Sequence, residues 1–229
     1  MGMIEMLRKV PLFAELDELE LASIAALSSS IDIPKKSIVV QESDPGDSMY
    51  VILDGEVKVS TYSVDGREVV LALLGKGSFF GEMSLLDEQP RSANVTTMQD
   101  SKFANIRRRD LVQLLMDQPV ISLKLLTEIA VRLRKTSRVL ERISSMDVPH
   151  RLYAYLVDHC VRFSQPNQDG RYNTVLPTHQ LLADQLSTSR ETISRTISQL
   201  KKDGVLVQCE GRGKMLVDVE QLEDMLDDC

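Results

Sequence analysis

The sequence predicts an α+β protein in three successive parts: an N-terminal antiparallel β-roll, one long helix, and a small C-terminal unit of helices closed by a hairpin. Three observations predict it. Between Ile31 and Ile106, short β-branched runs alternate apolar and polar residues and are punctuated by Pro34, Pro45-Gly46, Asp54-Gly55, Asp65-Gly66, Gly75 and Gly77. From Pro119 to Met146 there is no internal Pro or Gly, and apolar residues recur in heptads. Beyond Pro149 helical runs return and end in VLVQCEGRGKMLVDV, two β-branched runs around a Gly-Arg-Gly tip.

The composition bounds the function. A chain of 229 residues holds two modest domains, each able to bury a core, and 43% hydrophobic with 27% charged residues is the balance of an ordinary soluble protein. No apolar run is long enough to span a bilayer and the start, MGMIEMLRKV, lacks the apolar centre of a signal peptide, so no membrane partner and a cytoplasmic location are expected. Cys160, Cys209 and Cys229 are scattered and odd in number, which argues against a disulfide framework, a zinc site or an iron–sulfur cluster. His150, His159 and His179 show no metal-ligand spacing; each is expected to be a surface or capping residue, and no metal is expected. A net charge of −7 counts against nucleic-acid binding as a total. The acidic residues, however, bunch in the C-terminal DVEQLEDMLDDC, away from the basic SRETISR.

In order, residues 1–118 form the first part. A helical preface over about residues 4–29 is broken at Pro11, and from Ile31 the strand period takes over. Asp-Gly turns between short strands read as an antiparallel barrel or roll, interrupted by GSFFGEMSLLDEQPRSANV from Gly77 to Val95. RRRDLVQLLMDQ is a short helix. Residues 119–146 are the long helix, with Leu126, Leu133 and Leu140 at one seam position and Ile129, Thr136 and Ile143 at the other. Such a helix pairs with a copy of itself, giving a homodimer, or packs its stripe on its own domain. Thr136 stands where Ile or Leu would stabilise more, and with Ser137 it places two hydroxyls at mid-length.

Residues 147–229 form the last part. DVPHR is a hinge, because Pro149 stops the preceding helix and suits the first turn of the next. RLYAYLVDHCVRF reads as a helix and SQPNQDGRYNTVLP as a polar loop with a strand at its end. THQLLADQL, capped by Thr178, and SRETISRTISQLKKDG, closed by Gly204, are helices separated by a few residues. With the hairpin they make a winged helix-turn-helix.

Two stretches carry chemistry. After Gly81 a short helical turn aims backbone N–H groups into one cavity, which favours an anion. Arg91 offers a planar fork for two phosphate oxygens, Glu82 can accept from a sugar hydroxyl, and Ser92 can donate to phosphate or base. These suit a cyclic phosphate on a ribose, although a Glu and an Arg at this spacing also make an ordinary surface ion pair. In STSRETISR, Arg190, Glu191 and Arg195 share one face near a helix start, where Arg reads guanine and Glu accepts from cytosine. Thr188-x-x-Glu191 equally fits a capping box that merely closes its own helix.

GDSMYVILDGEVKV followed by FGEMSLLDEQPRSANV resembles the cyclic-nucleotide-binding domain, whose phosphate-binding cassette reads FGE, an apolar stretch, then PR with small residues. The likeness spans most of residues 10–115. With RLRKTS on the long helix, the DVPHR hinge and SRETISR, the whole chain resembles the CRP/FNR family of bacterial transcription regulators, nearest its cyclic-AMP receptor branch. The resemblance implies ligand contacts from Gly81, Glu82, Met83, Ser84, Arg91 and Ser92. It adds Thr136 and Ser137 touching the adenine, one from each subunit, and Arg132 approaching the phosphate. It implies that Arg190, Glu191 and Arg195 read bases of a TGTGA-type half-site in double-stranded DNA. Thr178, Thr188 and Ser189 then contact the DNA backbone, and Arg212 and Lys214 at the wing tip either contact it too or are merely solvated. Cyclic AMP is the implied effector, with cyclic GMP, cyclic di-GMP or no nucleotide as alternatives within the same fold, and RNA polymerase is an implied partner. A phosphodiesterase would need a metal or an activated base, and no His/Asp cluster supplies one, so no enzymatic activity is expected.

Overall fold

The computed structural model describes residues 2–64, 66–211 and 213–227. They fall into two compact units, one ending at Leu133 and the other beginning at Arg134.

The first unit opens with α1 (Met3–Leu7), a single 3-10 turn at Pro11–Phe13 and α2 (Glu18–Leu27). Asp17 starts α2: its carboxylate accepts from Glu20 N, and the Glu20 carboxylate accepts in return from Asp17 N, both at 2.8 Å. Eight strands follow: β1 (Ser28–Ile33), β2 (Ile38–Val40), β3 (Ser48–Asp54), β4 (Glu56–Tyr62), β5 (Glu68–Gly75), β6 (Phe79–Phe80), β7 (Asn94–Thr97) and β8 (Ser101–Arg107). They build two four-stranded antiparallel sheets, β1-β8-β3-β6 and β2-β7-β4-β5. The strand period begins at Ser28, ahead of the expected Ile31, because Ser28, Ser29 and Ser30 pair with Ile106, Asn105 and Ala104 of β8. Ladder hydrogen bonds extend the strand through residues whose side chains carry no β signal.

β3 is buried on both faces. Met49, Val51 and Leu53 join Leu7, Phe13, Leu21 and Ile24 of the helical preface. Ile52, on the other face, packs with Val57, Phe80, Val95 and Phe103. That double burial is why MYVIL reads as an unbroken apolar run. Gly55 turns β3 into β4 with φ 102°, and a Cβ there would fall 2.2 Å from Ser101 Oγ, so the site has neither the backbone nor the space for another residue. α3 (Met83–Leu86) and α4 (Arg108–Asp117) precede α5 (Pro119–Ser145), whose Ile121 and Leu125 close the preface cluster.

The second unit takes the end of α5 and then α6 (Val148–Phe163), β9 (Tyr172–Val175), α7 (His179–Gln185), α8 (Arg190–Lys202), β10 (Leu206–Gln208), β11 (Lys214–Val217) and α9 (Val219–Asp227). Asp147 caps α6 by accepting from His150 N at 3.0 Å, and Pro149 occupies the first turn. The strands make a sheet in the order β10-β11-β9. Leu152, Leu156 and Cys160 of α6 meet Leu182, Ile193, Ile197 and Leu200 of α7 and α8, and Leu222 of α9 closes the cluster.

The acidic C-terminal segment folds as α9, with Val219 and Leu222 buried. One expectation needs correction. His159, expected at the surface or in a cap, is half-buried: its Nε2 donates to Val175 O at 3.1 Å and its ring stacks on Tyr155 at 5.8 Å. Burial holds its imidazole below the ordinary value, the bond to Val175 acting weakly in the other direction.

Candidate functional site

The first site is the cassette between β6 and β7. β6 pairs with β3 through Phe79 and Phe80. Gly81 then turns the chain at φ 81°, and a Cβ there would lie 2.5 Å from Arg91 Nη1 and 3.0 Å from Ser48 O. Only glycine lets the backbone close on the guanidinium at this point. α3 is a four-residue turn starting at Met83.

Arg91 is 7% exposed. Its Nη1 donates to Gly81 O at 2.8 Å and to Ser84 Oγ at 3.0 Å, and its Nη2 donates to Ser48 O at 2.7 Å. The backbone is fixed too: Arg91 N donates to Asp44 O and Ser43 N to Arg91 O, each at 2.9 Å. Among the described residues, no carboxylate forms a salt bridge with Arg91. Burial draws its pKa down, while Tyr50, Asp47 and Glu82 act through space to raise it. A guanidinium nevertheless stays protonated, so this is a buried cation solvated by neutral dipoles.

Glu82 is 4% exposed and pairs with Arg132 of α5, Nη1 to Oε1 at 3.0 Å. Burial raises its pKa above the ordinary carboxylate value, with Arg132 the main opposing influence. Arg132 Nη2 also donates to Phe79 O at 2.7 Å, and its Cζ lies 4.4 Å from the Phe79 ring centre. Ser84 is buried behind Arg91, whereas Met83 and Ser92 are exposed and meet through Ser92 Oγ and Met83 Sδ at 3.8 Å. The structure therefore brings Gly81, Glu82, Ser84, Arg91 and Arg132 together. Thr136 and Ser137 are exposed on α5 beyond the division between the units.

The second site is the outer face of α8. Its cap is Ser189, whose Oγ accepts from Thr192 N at 3.1 Å. The helix thus starts one residue later than a Thr188–Glu191 capping box requires, and Glu191 stands exposed in the first turn. Arg190, Glu191 and Arg195 line one surface hollow of about 460 Å³ together with Ser194 and Ser198. The two serines were missed by sequence reasoning, though their spacing of four from Arg190 and from each other marks the same face. Thr178 Oγ1 caps α7 by accepting from Leu181 N at 3.3 Å, and Thr188 N donates to Ala183 O at 3.0 Å in the turn between the helices. Lys214 is exposed at the start of β11. Arg212 lies outside the described residues.

Residues 31–118 match the cyclic nucleotide-binding domain, and residues 150–225 match the Crp-like helix-turn-helix domain. The CRP-like cAMP-activated global transcriptional regulator of Mycobacterium tuberculosis is 30% identical over 220 residues, covering 96% of this chain and 98% of that one. This chain belongs to the CRP/FNR family. Like other members it is a transcription regulator with a cyclic-nucleotide-binding domain and a DNA-binding helix-turn-helix. The Cyclic AMP receptor protein of Thermus thermophilus is 32% identical over 173 residues, 76% of this chain and 77% of that one. Among solved structures, the c-di-GMP responsive global regulator CLP of Xanthomonas campestris matches with a TM-score of 0.75 at 28% identity, over 88% of this chain and 98% of that one. Among the described residues, no helix is long and apolar enough to cross a membrane.

Proposed function

We propose that this regulator is a homodimer that binds cyclic AMP in the cassette around Arg91 and then binds a TGTGA-type palindromic operator through α8. The observation that supports this most is the state of Arg91: a buried guanidinium with backbone and hydroxyl partners that, among the described residues, forms no salt bridge. A buried cation without a direct ion pair costs several kcal/mol, roughly, and a cyclic phosphate is an anion that this fork can grip. Gly81, Glu82, Met83, Ser84 and Ser92 belong to the same cassette, and Arg132, Thr136 and Ser137 complete the set the family resemblance implies. On this reading the nucleotide takes hydrogen bonds now made within the protein, including part of the Glu82–Arg132 pair.

The dimer would form along α5, where Leu126, Leu133 and Leu140 are 63%, 65% and 67% exposed on one stripe. An apolar stripe at heptad spacing is the seam of a two-stranded coiled coil. The resulting two-fold axis matches a palindromic operator with half-sites about one helical turn apart. Arg190, Glu191 and Arg195 would read base edges. Thr178, Thr188, Ser189, Arg212 and Lys214 would contact phosphates, and RNA polymerase would be the partner at the promoter. Nucleotide shifts the equilibrium only by its preference for the DNA-competent state, about 1–3 kcal/mol in comparable systems. The domain division proposed is 1–118, 119–146 and 147–229.

A fluorescence-anisotropy titration of a palindromic TGTGA duplex, with and without cyclic AMP, tests the reading. Affinity that rises about tenfold or more with cyclic AMP is expected. Equal affinity with and without it would show that the reader does not answer to this nucleotide. A second reading, cyclic di-GMP as effector, is favoured by the name of the Xanthomonas relative, and the same assay with that nucleotide decides between them.

A further inference from the structure

We propose that the Ser84 hydroxyl positions Arg91, setting the guanidinium for the phosphate, so that this side chain acts through the arginine and not on the ligand. This deepens the functional reading above and rests on it. Three acceptors hold the Arg91 fork, and two of them, Gly81 O and Ser48 O, are backbone carbonyls. Ser84 Oγ is the side-chain acceptor of the set, 3.0 Å from Nη1. Its own proton is directed at Gly81 O, 3.4 Å away, so the hydroxyl turns its lone pairs towards the arginine. Ser84 is 4% exposed, and its oxygen meets Arg91 and Gly81 O.

A further wall of this seat is Gly46, in the loop between β2 and β3. A Cβ at Gly46 would stand 2.3 Å from Ser84 Oγ and 2.8 Å from Arg91 Nε. The loop is stitched to Arg91 through Asp44 O and Ser43 N. Ser84 and Gly46 therefore confine the guanidinium together, one by accepting a hydrogen bond and the other by its close approach. Confinement matters because an arginine fork held in place before the ligand arrives loses less side-chain freedom on binding.

The test is a double-mutant cycle of Ser84→Ala and Arg91→Lys in the full-length protein, read by calorimetric titration with cyclic AMP and by chemical unfolding without ligand. A residue that acts through Arg91 has an effect only while the arginine is there. Expected is about tenfold weaker binding for Ser84→Ala in the wild-type background and less than about twofold in the Arg91→Lys background. The unfolding cycle should show the same coupling without ligand, and Gly46→Ala should weaken binding as Ser84→Ala does. Equal losses in both backgrounds would mean that Ser84 touches the ligand or acts on the fold at large, and would overturn the proposal. So would a Ser84→Ala variant that binds as the wild type does. A wild type that binds no cyclic AMP would overturn the functional reading and this one with it, a result distinct from either.

Discussion

Arg132 Nη1 lies 3.0 Å from Glu82 Oε1, joining the long helix to the cassette through a carboxylate that is 4% exposed. Burial raises the Glu82 pKa and outweighs the opposing influences of Arg132, a backbone hydrogen bond and Arg91, so it stands above the ordinary value. Such a group favours the folded state most when protonated. Its contribution is fully present below the unfolded pKa, near 4.5, and is lost as pH rises through the raised folded value.

The first prediction follows from that sign. Arg132→Ala leaves the buried carboxylate without its cation and should destabilise the N-terminal unit by about 3 kcal/mol at neutral pH. The deficit should shrink as pH falls towards 4.5, the ordinary value for Glu82. In an Arg132→Ala, Glu82→Gln double variant that pH dependence should vanish. Denaturant unfolding across the pH range measures both, and a deficit independent of pH would contradict the assignment.

The exposed side chains of α8 and of the hairpin should divide by kind. Arg190→Ala, Glu191→Ala or Arg195→Ala should each cost about 1–3 kcal/mol of binding to the preferred operator and flatten discrimination among half-sites. Lys214→Ala should weaken binding to all sequences alike and lower the dependence on salt. Anisotropy titrations over a panel of mutated duplexes separate the two patterns.

The leucine stripe on α5 predicts the oligomeric state. Leu140 is 67% exposed, and Leu140→Glu places a charge from each protomer at one layer of the proposed seam. Sedimentation should show a dimer for the wild type and a monomer for the variant, with helical content retained. A wild-type monomer would refute the pairing.

A local prediction concerns the turn between α7 and α8. Ser187 sits at φ 52°, one residue past the helix cap, and Thr188 N closes the turn on Ala183 O. Glycine usually holds this place, as Gly204 does after α8 with φ 77°. Ser187→Gly removes left-handed strain but frees the unfolded chain, so a net gain of about 0.5 kcal/mol in unfolding free energy is expected.

Much of this was legible in the sequence because the periods are strong. The heptads of α5, the Asp54-Gly55 turn, Pro149 in the first turn of α6 and Gly204 after α8 all left local marks that tertiary packing did not override. The rest depended on contacts between distant residues. Ser28–Ser30 became a strand through pairing with β8, and α9 was hidden by acids whose apolar partners, Val219 and Leu222, find a core only in the folded unit. Arg91 and Glu82 could be picked out by spacing, but not their partners: Ser48 lies 43 residues from Arg91, and Arg132 lies 50 from Glu82. The capping box at Thr188 was a fair local pattern that lost to a cap one residue later, at Ser189.

The most direct test of the central claim is calorimetric titration of the purified protein with cyclic AMP, cyclic GMP and cyclic di-GMP, repeated on Arg91→Ala. The account predicts that cyclic AMP binds more tightly than the other two and that the variant loses this binding about a hundredfold or more, as expected when a buried charge-assisted contact to phosphate is removed. Binding of none of the three, or binding that Arg91→Ala leaves intact, would contradict it.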